Sequence, residues 1–285
     1  MSSTSSAEPT HLLPRLAINT DLARRILVLF LRDAVTKAGF QRAVLGLSGG
    51  LDSALVAYLV AEALGPENVL AIRMPYRASS QASLDDAQAV IDALGITSDT
   101  VDITPMVDPL LERFPDTSRV RQGNIMARMR MVVLYDQSAA TDALVIGTSN
   151  KTEFLLGYTT VFGDNAAAVQ PIADLYKAQV RQLARAMGVP RSILEKAPSA
   201  DLWANQTDEA ELGFSYDLAD QLLYLLVDER YTVDEAAAEG FDRALVEHIW
   251  RRVRRNHFKR TMAPVAKLTT RSIGHDFLYL RDWSG

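Results

Sequence analysis

Residues 42–54 read Arg42-Ala43-Val44-Leu45-Gly46-Leu47-Ser48-Gly49-Gly50-Leu51-Asp52-Ser53-Ala54: an apolar run, a turn of serine and glycine, then the opening of a second apolar segment. Arg42 to Leu47 has the length and near-continuous apolarity of a buried parallel strand. Leu51 to Leu64 continues as a helix, and Gly65-Pro66 ends it. Two glycines let the backbone between strand and helix turn sharply and approach a ligand with no Cβ in the way. The first amides of the helix have no partner within it and, with the helix dipole, face an anion. Ser48 and Ser53 add hydroxyl donors, and Asp52 offers a carboxylate suited to holding Mg2+ against phosphate oxygens. The spacing is neither Gly-x-x-x-x-Gly-Lys-Ser/Thr nor Gly-x-Gly-x-x-Gly. A plain strand-to-helix turn with a serine or aspartate cap is the competing reading. Phosphate binding is favoured because open α/β sheets take ligands at the carboxyl ends of their strands.

The same alternation spreads outward from this turn. Upstream, Leu22, Ile26, Leu29, Phe30 and Val35 recur at helical spacing and Gly39 supplies a stop, which predicts a helix over 20–38. Downstream come a strand at 69–74, a helix at 83–94, a strand at 100–103, a long helix at 121–139 and a strand at 143–146. Short apolar strands alternating with helices predict an α/β fold, a doubly wound parallel sheet covered on both faces. Residues 147–173 lose the rhythm and are rich in Gly, Thr, Asn and Ala; a helix at 175–187 resumes it. A polar stretch at 198–208 precedes a helical C-terminal extension with helices at 216–227, 233–238 and 241–254. The expected organisation is one domain over 16–285, preceded by a Ser-rich tail, 1–15, too polar to order itself.

Composition removes whole classes of function. With 30 basic and 35 acidic residues the net charge is -5, so no sequence-wide positive field draws in nucleic acid. The absence of cysteine removes disulfides and thiolate chemistry, and four scattered histidines build neither a zinc site nor a Ser-His-Asp triad. No apolar stretch has the length of a membrane span or the form of a signal peptide, so a soluble, cytoplasmic protein without a membrane partner is expected. Catalysis is left to carboxylates, lysines, backbone amides and a hard metal. The basic run from Arg251 to Arg255 reads as a solvated helix face without a site role.

The stretch from Leu47 to Ala54 resembles the pyrophosphate loop of the N-type ATP pyrophosphatases, which adenylate a substrate and release pyrophosphate. Further motifs narrow the resemblance: Gly147-Thr148-Ser149-Asn150-Lys151-Thr152-Glu153, Phe162-Gly163-Asp164, Tyr176-Lys177, Lys196-Ala197-Pro198-Ser199-Ala200-Asp201-Leu202 and Gln206-Thr207-Asp208-Glu209. In order and spacing they resemble the NAD synthetases over roughly residues 20–283. The resemblance implies an adenine nucleotide alpha hydrolase-like fold and ATP-dependent amidation of deamido-NAD (nicotinic acid adenine dinucleotide) with ammonia, through an acyl adenylate. It implies ATP contacts at Gly46, Leu47, Ser48, Gly49, Gly50, Leu51, Asp52, Ser53, Thr148, Lys177 and Ser199, and a Mg2+ shared by Asp52 and Glu153. Arg128, Glu153 and Lys259 fall where the family contacts deamido-NAD. A homodimer is also implied, and the apolar face of 20–38 and the helix at 121–139 are the expected contact.

Lys177 stabilises departing pyrophosphate in this scheme, and Asp164 holds or deprotonates the ammonium ion. Closure of 155–170 over the adenylate keeps water out. Each residue has a plainer alternative: Arg128 as a surface ion-pair partner, Lys177 as a helix opener near Asp174, Glu153 as a solvated acid. Val161 and Ala168 stand where some single-domain members carry a Lys and an Asp that touch the dinucleotide; the loop is similar to that of glutamine-dependent synthetases. A cysteine-free chain has no thiolate to attack glutamine, so ammonia is the expected nitrogen source, with room for a separate glutaminase chain to deliver it. The rivals are an amide ligase with another acyl acceptor and a regulatory module that binds nucleotide without turnover.

Overall fold

The computed structural model describes residues 10–199, 201–203 and 206–273. Its first half alternates as expected: α1 (Thr20–Lys37), β1 (Arg42–Gly46), α2 (Leu51–Leu64), β2 (Val69–Arg73), α3 (Gln81–Leu94), β3 (Thr97–Thr100), α4 (Thr104–Arg113), α5 (Arg119–Thr141) and β4 (Ala143–Val145). The second half is helical: α6 (Lys151–Leu156), α7 (Lys177–Ala186), α8 (Arg191–Leu194), α9 (Asp208–Leu212), α10 (Tyr216–Leu223), α11 (Val233–Ala238) and α12 (Arg243–Arg255). The strands form one parallel sheet in the order β3-β2-β1-β4, with Ala43 opposite Val69 and Arg42 opposite Ala143. The chain order thus reverses beside β1, which puts the Ser48 turn at the switch point where such sheets bind ligands.

Alternating side chains of β1 feed two cores. Ala43 and Leu45 pack with Leu31 and Val35 of α1 and Leu55 and Leu59 of α2, all fully buried. Val44 packs on the other face with Ile72, Val145 and, from α5, Met126 and Val133. A third core joins Leu156 of α6 and Tyr176, just before α7, to Tyr216 and Leu222 of α10 and Ile249 of α12. The C-terminal extension therefore fixes the two helices whose N-termini face the turn. No helix among the described residues is long and apolar enough to cross a membrane.

Several expectations shift. The last strand of the β3-β2 edge is Thr97–Thr100, ahead of the expected 100–103. It is an edge strand whose side chains meet solvent, so it needs no apolar run. Val101 and Ile103 extend its pairing, donating to the carbonyls of Arg73 and Pro75 at 2.9 Å each. The end of the expected 1–15 tail is packed: Leu12 and Leu16 are buried in the third core and the Leu12 amide donates to Gln221 Oε1 at 3.0 Å; residues 1–9 lie outside the described residues. In α1 the core side is Val28, Leu31 and Val35, while Leu22, Ile26, Leu29 and Phe30 face outward.

Candidate active site

Gly49 has φ +77°, and a Cβ there would stand 2.1 Å from the carbonyl oxygen of Ser83, so only glycine fits. Hydroxyls brace the turn: Ser48 Oγ lies 3.0 Å from Ser53 Oγ and accepts the Gly50 N–H at 3.2 Å, while Ser53 Oγ donates to the Gly50 carbonyl at 3.0 Å. No side chain caps α2, so its first-turn amides are left without a capping partner and form a cradle able to receive an anion.

Three helix N-termini converge beside this cradle. They bring Asp52 from the first turn of α2, Glu153 from the first turn of α6 and Lys177 from the start of α7. Lys177 Nζ makes a short charged contact with Asp52 Oδ2 and lies 3.7 Å from Glu153 Oε1. Asn150 ties the carboxylates together: Nδ2 donates to Asp52 Oδ1 at 2.8 Å, Oδ1 accepts the Glu153 N–H at 3.0 Å, and Glu153 Oε2 accepts the Asn150 N–H at 3.2 Å. The last two bonds form a capping box, which locks the Glu153 rotamer.

The electrostatics follow from this enclosure. Burial, then the neighbouring charge of Asp52, pushes the Glu153 carboxyl up to about 8, against the opposing pull of Lys177. For Lys177 burial favours the neutral amine, but Asp52 and Glu153 together outweigh it and hold the proton more tightly than usual. Lys177 is thus a fixed cation and not a base. Its backbone is held as firmly: the Lys177 N–H donates to Thr152 Oγ1 at 3.0 Å, whose hydroxyl donates to Asp220 Oδ1 at 2.5 Å, and Asp220 Oδ2 accepts the Ala178 N–H at 2.7 Å.

A cavity of about 740 Å³ opens from the cradle across the carboxyl ends of β1, β2 and β4. Of the residues expected from sequence, Gly46, Leu47, Ser48, Thr148, Asp164 and Lys259 line it, while Asp52, Glu153 and Lys177 stand at the cradle and outside the lining. Asp164 Oδ1 accepts the Thr160 N–H at 2.7 Å; desolvation by the wall raises its pKa, and that bond works against the rise. Lys259 Nζ donates to the Gly157 and Thr159 carbonyls at 2.7 Å each, pinning the start of the 157–166 loop. Two expected residues lie apart. Arg128 is exposed and donates to the Val161 carbonyl at 3.2 and 3.3 Å, and Ser199 Oγ accepts the Asp201 N–H at 3.1 Å outside the cavity lining.

Comparison with known proteins decides the family. The family profile described as NAD synthase matches residues 23–263. The chain belongs to the NAD synthase family. A relative from Trichlorobacter lovleyi named NH(3)-dependent NAD(+) synthetase is 56% identical over 269 residues, 94% of this chain and 98% of that one. Among solved structures, NMN synthetase from Francisella tularensis superposes with a TM-score of 0.79 at 34% identity, covering 88% of this chain and all of that one. The NH3-dependent NAD synthetase of Campylobacter jejuni gives 0.75, also at 34% identity with the same coverage.

The donor set fits the Mg2+ that the NAD synthase motifs imply. Asp52 and Glu153 are hard oxygen donors at the cradle's edge, and the described residues contain no cluster of three or more candidate ligands. A cation there would take its remaining ligands from phosphate oxygens and water, the usual habit of Mg2+. Sequence reasoning missed Arg130, Tyr158, Trp203 and Arg252, which also line the cavity. Arg252 corrects the reading of 251–255 as a purely solvated face: Nε donates to the Leu156 carbonyl at 2.9 Å, capping α6. The apolar period of α12, with Val246, Ile249 and Val253 buried, places residue 252 beside that core and was the available signal.

Proposed function

We propose that this chain is an ammonia-dependent NAD synthetase that adenylates the nicotinate carboxylate of deamido-NAD at the expense of ATP and then replaces AMP with ammonia. The observation that carries this reading is the Asp52–Lys177–Glu153 cluster at the edge of an anion cradle that only Gly49 permits.

A carboxylate oxygen of the substrate attacks the α-phosphorus of ATP, the bond to the β-phosphoryl oxygen breaks, and pyrophosphate carries the electron pair away. The cradle amides and Ser48 and Ser53 hold the departing group, and Lys177, kept protonated by its two carboxylates, offsets its charge. Mg2+ held by Asp52 and Glu153 would add charge neutralisation on the phosphate oxygens. Ammonia then attacks the activated carbonyl, the carbon–oxygen bond breaks and AMP leaves. Asp164 faces the same cavity as a carboxylate able to take the proton that ammonium must lose first. Thr148 and Ser199 contact ATP, and Arg128 and Lys259 the dinucleotide; Arg128 reaches it at the subunit contact.

The protein works as a cytoplasmic homodimer. In support, Leu22, Ile26, Leu29 and Phe30 form an outward apolar stripe on α1, 46–59% exposed, and Val132 and Tyr135 stand out on α5, 52% and 41% exposed. A second reading is favoured by the Francisella neighbour: the acyl acceptor is nicotinate mononucleotide, which lacks the AMP half of the dinucleotide.

Purified chain with ATP, Mg2+ and ammonium chloride should release one pyrophosphate per NAD formed from deamido-NAD. It should turn over nicotinate mononucleotide at least tenfold less efficiently, about 1.4 kcal/mol of discrimination. Glutamine freed of ammonia should give no product. Preference for the mononucleotide would establish the second reading, and ATP binding without pyrophosphate release on either acceptor would refute both.

A further inference from the structure

Two arginines two residues apart on α5 have opposite surroundings. Arg128 points outward to the Val161 carbonyl, whereas Arg130 lines the cavity. Arg130 Nε donates to the Met74 carbonyl at 3.1 Å, just past the carboxyl end of β2. This bond orients the guanidinium and leaves its two terminal nitrogens without a hydrogen-bond partner among the described residues.

Nor does Arg130 have an ion-pair partner among those residues. The nearest acidic influences are Asp201 and Asp164, and Asp201 Oδ2 is already engaged by the Ser80 N–H at 3.0 Å. Burial lowers the pKa of Arg130, and the two aspartates only partly oppose it. An arginine does not lose its proton under such conditions, so the cavity wall carries a permanent, incompletely compensated positive charge. The guanidinium is only partly shielded from water and has no carboxylate paired with it among the described residues, so its terminal N–H groups are open to a ligand in the cavity. An anion entering the cavity would gain a charge-assisted partner there.

Several features say which anion. Arg130 shares its cavity with the cradle residues Gly46, Leu47 and Ser48, so an ATP whose β- and γ-phosphates occupy the cradle leads its remaining phosphate into the same space. Next to Arg130, Met131 and Leu134 of α5 and Ile72 of β2 give the cavity an apolar wall suited to a base or a ribose. A planar fork with free N–H groups, between an anion cradle and an apolar wall, matches two oxygens of a phosphoryl group.

We propose that Arg130 is a substrate-binding residue whose guanidinium grips the α-phosphoryl group of ATP and keeps hold of it in the acyl adenylate. This rests on the reading of the site as an adenylating one. The pyrophosphate bridge of the dinucleotide offers the same oxyanion chemistry, so the two sources need separate arms of one experiment.

Arg130→Gln keeps a neutral donor for the Met74 carbonyl, and Arg130→Lys keeps the charge without the fork. Calorimetric titration of each variant and of wild type with Mg·ATP alone, and separately with deamido-NAD alone, reads the two sources, alongside melting temperatures without ligand. The expected result for Arg130→Gln is a roughly 10- to 100-fold loss of ATP affinity, the range for a lost charge-assisted bond, with deamido-NAD affinity unchanged. Arg130→Lys should fall between Arg130→Gln and wild type. Loss confined to the deamido-NAD arm would overturn the α-phosphoryl assignment and transfer the grip to the dinucleotide. Affinities within twofold of wild type in both arms, whatever the melting temperature, would overturn the proposal, as would failure of both variants to fold, which would make Arg130 a structural cation. A parallel turnover assay of wild type keeps the underlying reading separate: no NAD formed, with ATP affinity still dependent on Arg130, would refute that reading alone.

Discussion

Gly49→Ala isolates the cradle from everything else in the site. The added methyl carbon would sit 2.1 Å from the Ser83 carbonyl oxygen, where real Cβ contacts do not fall below 3.0 Å, so about 0.9 Å of separation must be found. The obstacle is backbone and cannot rotate away, and the residue must also hold φ +77°, at roughly 1–2 kcal/mol for a side chain in the left-handed region. The loop is the lighter partner, so it moves, and the first-turn amides of α2, which it leads into and braces through Ser48 and Ser53, move with it. Displacement of a reacting group by about 1 Å costs on the order of 10²-fold in rate, and kcat/KM for ATP should drop by about that factor in a steady-state pyrophosphate assay. Gly188→Ala is the matched control. Its φ is +79° with nothing within 4 Å of the new carbon, so it should lose comparable stability and keep its activity. If Gly49→Ala retains more than about a tenth of wild-type kcat/KM while folding normally, the argument that the cradle must sit where Ser83 allows is wrong.

Other consequences are equally concrete. Lys177→Met leaves the Asp52 carboxylate in an enclosed space without its cation and should cost about 3–5 kcal/mol in urea unfolding; adding Asp52→Asn should return part of that loss, and strict additivity would show that the two groups do not interact. Asp220 has its carboxyl raised to about 6 chiefly by burial, partly offset by the Thr152 hydroxyl and the Ala178 N–H. The folded state therefore holds that proton more tightly than the unfolded chain, and the Asp220 contribution falls as pH rises from about 4 to about 6. The stability of wild type relative to Asp220→Asn should decline across that window, and a pH-independent difference would contradict the assigned environment. Sedimentation at micromolar concentration should give a dimer of the 31.4 kDa chain that Leu29→Glu with Phe30→Glu converts to monomer; a wild-type monomer would remove the assembly.

Much of this molecule is legible from local pattern. The turn at Ser48 announces its own conformation, because two glycines between an apolar strand and a helix have few other uses, and the parallel alternation around it follows from strands buried on both faces. Legibility fails where the pattern is not local. The polar edge strand Thr97–Thr100 carries no apolar run, since one side of its ladder and much of its surface meet solvent. In α1 the helical period is plain but has two apolar sides, and only packing tells that Val28, Leu31 and Val35 face the sheet while Leu22, Ile26, Leu29 and Phe30 do not. The roles of Asp220 and Arg130 depend on contacts 68 and 56 residues away in sequence, to Thr152 and Met74 respectively. Spacing along the chain carries no trace of either contact.

In the proposed reaction the substrate carboxylate itself becomes bonded to the α-phosphorus. Deamido-NAD labelled with oxygen-18 in both carboxylate positions, turned over with ATP and ammonium, tests this directly by mass spectrometry of the products. The mechanism requires one labelled oxygen to remain on carbon in the NAD amide and the other to leave in AMP, one atom per turnover, with pyrophosphate unlabelled. Label in pyrophosphate or inorganic phosphate, or AMP free of label while NAD accumulates, would contradict it.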